Sequence, residues 1–234
     1  MTTELNADFS RTARVHAGTS PWIPSPMPGV ERKLLDRIGD EVARATSIVR
    51  YAPGSAFSAH THGGGEEFLV LDGVFQDEHG DYPIGTYVRN PPGTRHTPGS
   101  APGCIIFVKL WQFAADDSNQ FSVDANSVPP AKAGEAARLK TLPDVERHLL
   151  HDDRHETVCV EQWPGATTFS LVVPDGAEIL VLDGGFEADG GAYRHWSWLR
   201  LPPDASVRVR TSVEGARVWT KYGHLRDVLG LAPA

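Results

Sequence analysis

The chain has 234 residues, of which 40% are hydrophobic, so it can hold one large domain or two of about 110 residues each. Its formal net charge of -8 argues against a nucleic-acid partner, because such binding requires basic side chains that neutralise phosphates. No apolar run reaches about 18 residues, the N-terminus lacks a signal-peptide pattern, and two cysteines are too few for a disulfide framework, so we expect a cytoplasmic protein without membrane contact.

Residues 1–20 carry no strong pattern, and residues 1–29 together are predicted to form an extended N-terminal arm. Within them, the segment 20–29 is rich in proline. Because proline fixes φ and removes a backbone donor, this segment can form neither a helix nor a central strand.

Beyond the arm, short β-like runs such as 67–71 and 104–110 are separated by glycine and proline turn signals. Short strands at regular spacing with frequent turns are typical of sandwiches and barrels. Helical periodicity is nearly absent, and only 131–139 and 224–229 could form a turn or two of helix. We therefore predict an all-β fold.

The chain also repeats itself. Residues 30–37 recur, with changes, as residues 145–152, and a shift of 111 then aligns the residues downstream of them. The identical pairs at that shift include Pro53/Pro164, Gly54/Gly165, Phe75/Phe186, Tyr82/Tyr193, Arg89/Arg200 and the four residues Val70–Gly73 with Val181–Gly184. So many identities on one shift indicate a tandem duplication. We predict a first β domain at 30–115, a connection at 116–143 and a second β domain at 144–234.

The first copy contains His60-Thr-His62-Gly-Gly-Gly-Glu66-Glu67, followed further on by His96. Two histidines at i and i+2 on a strand point to the same side of a sheet. A carboxylate after the glycine turn and a third histidine could complete one coordination shell. This mixed set suits zinc, iron, manganese, nickel or copper rather than calcium or magnesium. Alternation cannot choose between Glu66 and Glu67, because the glycine turn resets the strand parity.

The second copy provides an internal comparison for these residues. At the positions of His60, His62, Glu66 and His96 it has Leu171, Val173, Ala177 and Val207. Four polar residues have been replaced together by apolar ones, as expected for a metal site that was lost as a unit and refilled as packed core. The second domain is then expected to be structural, an interface or a metal-free pocket.

Two spaced signatures resemble those of the cupin superfamily. They are Gly54-x5-His60-x-His62-x3-Glu66-x6-Gly73 and Gly85-x5-Pro91-x-Gly93-x2-His96, with Ser100 where the second usually has Asn. The resemblance implies two tandem cupin jelly-roll barrels, the first holding a metal. Its spacing favours Glu66 over Glu67. Over residues 22–112 the chain is similar to the ChrR-like cupin family, which implies one divalent transition metal (zinc, or iron, manganese or nickel). The ligands carried over are His60, His62, Glu66 and His96.

In that family, anti-sigma factors grip the sigma factor with a separate N-terminal helical zinc domain built from His and Cys. Here 29 residues precede Val30 and none of them is Cys, so the sigma-binding part is not expected. The resemblance therefore implies a metal-binding barrel without the domain that binds a sigma factor.

Two functions compete on these observations. The first is a metalloenzyme of the dioxygenase type acting on a small diketone or hydroxyketone, with no catalytic residue assigned. The alternative is a regulatory or sensing cupin, related to anti-sigma factors, that changes its surface for a sigma factor or another protein partner. Both imply a small-molecule ligand, and a homodimer is compatible with either. A purely structural protein would leave the four ligands without a purpose.

Other candidate residues are interpreted as non-functional. His148, His151 and His155 have helical spacing but fall near a predicted strand, so we interpret them as surface residues rather than a second metal site. Cys104 and Cys159 lie in apolar strands and are expected to be buried free thiols.

Overall fold

The computed structural model describes residues 3–40, 42–132, 134–136, 138, 142 and 144–228. Within these residues it contains β-strands and no helix, so the predicted all-β class is confirmed. The first strands are β1 (Glu4–Leu5), β2 (Ala13–His16), β3 (Ile23–Pro24), β4 (Val30–Gly39), β5 (Ala43–Tyr51), β6 (Ser55–Ala56), β7 (His60–Thr61), β8 (Glu66–Asp77), β9 (Gly80–Pro83), β10 (Thr86–Asn90), β11 (Arg95–His96), β12 (Gly99–Ser100) and β13 (Cys104–Leu110). The remaining strands are β14 (Phe121–Asp124), β15 (Glu146–Asp152), β16 (Thr157–Trp163), β17 (Thr168–Val173), β18 (Ala177–Ala188), β19 (Gly191–Tyr193), β20 (Ser197–Leu201) and β21 (Ala205–Tyr222).

The described residues divide into two compact units. Unit 1 contains residues 3–7 and 20–126, and unit 2 contains residues 8–19 and 127–228. The main sheet of unit 1 has the strand order β1-β4-β5-β13-β8-β10-β14, while β7 and β11 form a separate two-stranded ladder. The sheet of unit 2 has the order β15-β16-β21-β18-β20-β2, with β17 and β19 pairing off this path.

Alternation along the strands gives each unit its own apolar core. In β17, Phe169, Leu171 and Val173 are buried while the residues between them are exposed. Successive side chains of a strand point to opposite faces, so this pattern places one face inside and the other in solvent. Unit 1 has an equivalent core that includes Phe68 and Phe75.

One glycine of the repeat is required by a close approach of two backbones. Gly73 and Gly184 occupy equivalent positions, with φ of 68° and 66°. A Cβ at either position would overlap a carbonyl oxygen, that of Gly103 or that of Gly215. Glycine tolerates this conformation and contributes no Cβ, which explains why both copies keep it.

Each copy of the repeat is preceded by a short strand that lies upstream of the predicted domain bounds. These strands are β2, before the first copy, and β14, before the second. β2 pairs with β20 in unit 2, and β14 pairs with β10 in unit 1, with equivalent registers. A shift of 108 aligns these segments through Asp8/Asp116, Ser10/Ser118, Val15/Val123 and Ala17/Ala125. The predicted arm, 1–29, contributes β1 and β3 to the sheet of unit 1 and β2 to the sheet of unit 2. The predicted connection, 116–143, contributes β14 to the sheet of unit 1.

Three smaller expectations can also be compared with the structure. The described part of 224–229, residues 224–228, forms turns rather than helix, and the helical turn expected at 131–139 falls partly on residues outside the described part. In the described residues, no helix is long and apolar enough to cross a membrane. Cys104 and Cys159 are buried free thiols, which confirms that prediction.

Candidate metal centre

Three histidines meet at the β7–β11 ladder of unit 1. The antiparallel register places His96 directly opposite His60, and His62 follows just after β7 ends. The potential ligand atoms of the three imidazoles all lie within 4.8 Å of one another. His62 and His96 are buried, whereas His60 is exposed, so the cluster is open to solvent on one side.

Glu66, at the start of β8, places its carboxylate against the same cluster. Its Oε2 lies 3.6 Å from Nε2 of His62 and 3.5 Å from Nε2 of His96. Glu67 points to the opposite face of the strand, where Tyr87 donates a hydrogen bond of 2.5 Å to its Oε2. The structure thus brings the four residues carried over by the resemblance together and places the alternative carboxylate elsewhere.

The glycines between His62 and Glu66 are required because the side chain of Trp111 packs directly against them. Trp111 donates its backbone N–H to the carbonyl of Gly65 over 3.0 Å and adopts a φ of 59°. A Cβ on Gly63 would lie 2.9 Å from the Trp111 indole, and a Cβ on Gly64 would overlap that ring outright. Glycine lets the indole lie flat on the turn that joins His62 to Glu66.

Hydrogen bonds on the far side of two imidazoles assign their tautomers. Nδ1 of His96 lies 3.2 Å from Oδ2 of Asp77, and Nδ1 of His60 lies 3.1 Å from the carbonyl oxygen of Ser58. Both partners are acceptors, so Nδ1 carries the proton in each neutral ring and the lone pair is on Nε2. This is the arrangement in which a second hydrogen bond orients a metal-binding imidazole.

Burial sets the charge state of the ligands in the metal-free protein. It lowers the pKa of His62 to about 3, with His96 and His60 contributing, so this imidazole is neutral over the physiological range. Burial also lowers the pKa of His96, partly offset by its hydrogen bond to Asp77. The pKa of Glu66 is raised by burial to about 7, despite the hydrogen bond from Asn90.

The residues fit a divalent transition metal. Nε2 of His62 and of His96 are buried without a hydrogen-bond partner in the described residues, an arrangement that costs free energy unless something fills the space between them. Two ligands of one ion, at bond lengths of about 2.0–2.2 Å, lie roughly 3–4.2 Å apart, and the distances from Glu66 fall in that range. Three imidazoles and one carboxylate suit a first-row transition metal.

Two residues near the centre were not singled out from the sequence. Asn90 lies opposite Glu66 in the β8–β10 register and donates a long hydrogen bond of 3.5 Å to its carboxylate. Asp77 contacts His96 through its Oδ2. The shift of 111 could have found Asn90, because it places Leu201 of the apolar core at the equivalent position.

One interpretation from the sequence is wrong. His151 is not a surface residue, because it is buried with its Nε2 3.2 Å from Oδ2 of Asp153. His148 is half-buried, with Nδ1 2.6 Å from the carbonyl oxygen of Val128. Strand pairing rather than helical spacing decides where these side chains point.

Unit 2 has apolar packing where unit 1 has its candidate ligands. Leu171 lies opposite Val207 in the β17–β21 ladder, the register that joins His60 to His96 in the first copy. The four replacements all belong to the core of unit 2: Leu171, Val173, Ala177 and Val207. The second copy therefore has the same strand pairing, with apolar side chains at the positions that the candidate ligands occupy in unit 1.

Comparisons with known proteins agree with this architecture. Residues 10–114 match the family model of the ChrR Cupin-like domain. A candidate dioxygenase from Nostoc punctiforme has a similar structure, with a TM-score of 0.75 and 15% identity over 96% of this chain and 88% of that one. A cupin 2 conserved barrel domain protein from Leptotrichia buccalis has a TM-score of 0.58 and 12% identity over 90% and 95% of the two chains.

Oxalate decarboxylase from Bacillus subtilis, described with Mn(II) centres, has a TM-score of 0.61 and 10% identity over 90% of this chain and 77% of that one. At such identities these structures show a shared fold alone. No curated protein matches the sequence significantly. The fold is therefore that of cupin proteins, with two tandem jelly-roll units.

Proposed function

We propose that unit 1 binds one divalent first-row transition metal through His60, His62, Glu66 and His96 and works as a metalloenzyme of the dioxygenase type. The substrate class that suits the site is a small diketone or hydroxyketone. The observation that carries the proposal is the convergence of two unpartnered, buried imidazole nitrogens on the carboxylate of Glu66.

The open side of the centre favours a reactive site over a structural one. Four protein ligands on an ion that accepts six would leave two positions free for a small molecule. Here His60 is exposed while the other ligands are buried, so a small molecule can approach from that side. When bound, the ion would supply a Lewis acid for the substrate oxygens and, in the case of iron, a redox partner for dioxygen.

The chain provides an apolar wall beside the ligands. The Phe75 ring lies 5.9 Å from that of His96, and Tyr51 packs edge-on against Phe57 and Phe75. Burial and the nearby Glu66 raise the pKa of Tyr51 well above its ordinary value, so the phenol stays protonated. An apolar wall with a few polar groups is typical of a small-molecule site.

Oxygen uptake tests this proposal. Protein loaded with Fe(II) should consume dioxygen with at least one member of a panel of β-diketones and hydroxyketones. The His96→Ala variant, treated identically, should consume none. An absence of uptake across the panel with iron, manganese, nickel and zinc would contradict the proposed reaction while leaving metal binding to be measured separately.

The match of residues 10–114 to the ChrR Cupin-like domain favours a second candidate function. In that proposal the metal and a small oxidised molecule change the surface of the barrel, which signals to a protein partner such as a sigma factor. The expected result is a stable complex with one protein and little turnover of any ketone. Pull-downs from resting and stressed cells that recover no partner would argue against it.

A further inference from the structure

We propose that Asp77 is a positioning residue for the metal centre: its carboxylate orients His96 and keeps the imidazole in the tautomer whose Nε2 can bind a metal. This inference rests on the proposed metal binding by unit 1. It concerns a residue outside the two cupin signatures, at the end of β8.

Asp77 is held in place by contacts of both its oxygens. Oδ2 accepts the hydrogen bond from Nδ1 of His96 over 3.2 Å. Oδ1 accepts from the backbone N–H of His79 over 2.8 Å and from the Tyr82 hydroxyl over 3.2 Å. The side chains of Asp77 and His96 are each 4% exposed, so solvent scarcely competes for these bonds.

The roles of donor and acceptor leave one arrangement. An ionised carboxylate only accepts hydrogen bonds, so the proton of neutral His96 is on Nδ1 and the lone pair on Nε2. That Nε2 lies 3.5 Å from Oε2 of Glu66, on the side of the cluster where the ligands converge. Burial, with Asp77 adding to it, raises the pKa of Tyr82 to about 12, so the phenol remains a donor to Oδ1.

The duplicated copy separates this role from a role in the hairpin. The β8–β9 pair Phe75 and Tyr82 recurs in unit 2 as the β18–β19 pair Phe186 and Tyr193. At the same shift of 111, Asp77 is replaced by Ala188, a residue of the apolar core.

The hairpin of unit 2 thus forms without this carboxylate. The hydroxyl of Tyr193 is buried and has no hydrogen-bond partner in the part of the chain that the structure describes. Unit 2 therefore differs from unit 1 at Asp77 as it does at the four candidate ligands, whereas the tyrosine is present in both copies. A carboxylate that served only to close the hairpin would have no reason to share the fate of the ligands.

Two substitutions of Asp77 distinguish a positioning role from a structural one, because the two roles predict opposite answers to which variant loses more metal affinity. In Asp77→Asn, the amide oxygen is held at the Oδ1 position by His79 and Tyr82, so the NH2 group faces Nδ1 of His96 and moves its proton to Nε2. In Asp77→Ala, water can accept from Nδ1 and the productive tautomer remains available. The isosteric Asn should therefore be more damaging than Ala, as when an amide reverses an imidazole tautomer.

The test measures metal affinity by competition with a chelator, together with ¹⁵N NMR of the His96 ring in metal-free protein. We expect Asp77→Asn to weaken binding by about 100-fold and Asp77→Ala by about 10-fold. The ring proton should be on Nδ1 in the parent protein and on Nε2 in Asp77→Asn. Asp81→Asn, an exposed change on neighbouring β9, should alter neither readout.

Equal or larger loss in Asp77→Ala, or an unchanged ring tautomer in Asp77→Asn, would overturn the inference. If the parent protein binds no metal, the proposed function fails. The NMR tautomer still decides the role of Asp77 in that case, because it is read without metal.

Discussion

In the metal-free protein, Glu66 is a buried carboxyl whose pKa is raised from 4.5 to about 7, mainly by burial. Below pH 4.5 the group is protonated in both the folded and the unfolded chain, so it has no effect on stability. Between pH 4.5 and about pH 7 the carboxyl is ionised in the unfolded chain but still protonated in the folded chain, so the free energy of unfolding falls as the pH rises. Above pH 7 the folded chain carries the full free-energy cost of burying the ionised carboxylate of Glu66.

The size of this cost follows from the shift. A difference of about 2.5 pKa units, from 4.5 to about 7, corresponds to about 3 kcal/mol. A Glu66→Gln substitution removes the titration. The stability that the variant gains over the parent protein should therefore be larger at pH 8 than at pH 4.5, by about 2–3 kcal/mol.

Urea denaturation in the presence of a chelator measures this difference at both pH values. Glu31→Gln is a suitable control, because Glu31 is a partly exposed carboxylate of unit 1 paired with Arg50 on the surface. The stability of the control variant relative to the parent protein should change by less than about 1 kcal/mol between the two pH values. A Glu66→Gln variant with the same stability difference from the parent at pH 4.5 and pH 8 would refute the reasoning.

The site and its surroundings support three further predictions. Metal affinity should fall about tenfold per pH unit below pH 7, because the ion must displace the proton of Glu66; titration calorimetry that finds an unchanged Kd between about pH 5.5 and 7 would contradict this. Gly64→Ala should cost about 1–3 kcal/mol, because its Cβ overlaps the Trp111 indole, and Trp111→Ala in the same chain should relieve that cost; additive losses in denaturation would argue against the clash. Leu171→Ala should cost about 2–5 kcal/mol of unfolding free energy in unit 2 and leave the metal content of the protein unchanged; a lower metal content would contradict the assignment of the ion to unit 1.

The positions of the candidate ligands could be predicted because strand geometry and the comparison of the two copies point to the same residues. Histidines two apart reach the same side of a strand, and the second copy shows which residues change together. The choice of Glu66 over Glu67 came from signature spacing. The structure gives the physical reason: Phe68 belongs to the core of unit 1, and Glu66 shares its face of β8 because positions i and i+2 point the same way.

The upstream extent of the repeat could not be predicted from the shift of 111. The segments that form β2 and β14 align at a shift of 108, with sparse identities, because three residues separate the two registers. Their strand character is also weak in isolation, since each is four residues long and gains its hydrogen bonds from a neighbouring edge. Tertiary pairing, which a linear pattern does not contain, decides which sheet each segment joins.

The positioning residues were missed for a different reason. Asp77 and Asn90 lie outside the ligand spacing, and an isolated Asp or Asn next to a turn is ordinary in any β protein. The structure shows what they contact, since it places them against His96 and Glu66. In the duplicated copy both become apolar, as Ala188 and Leu201 show.

Elemental analysis of protein purified without added metal tests the central claim most directly. We expect about one first-row transition metal ion per chain, and in a folded His96→Ala variant a small fraction of that amount. A matched change in unit 2, Val207→Ala, should retain the parent's content. Parent protein without bound metal, or His96→Ala with as much metal as the parent, would contradict the assignment of this site as a metal centre.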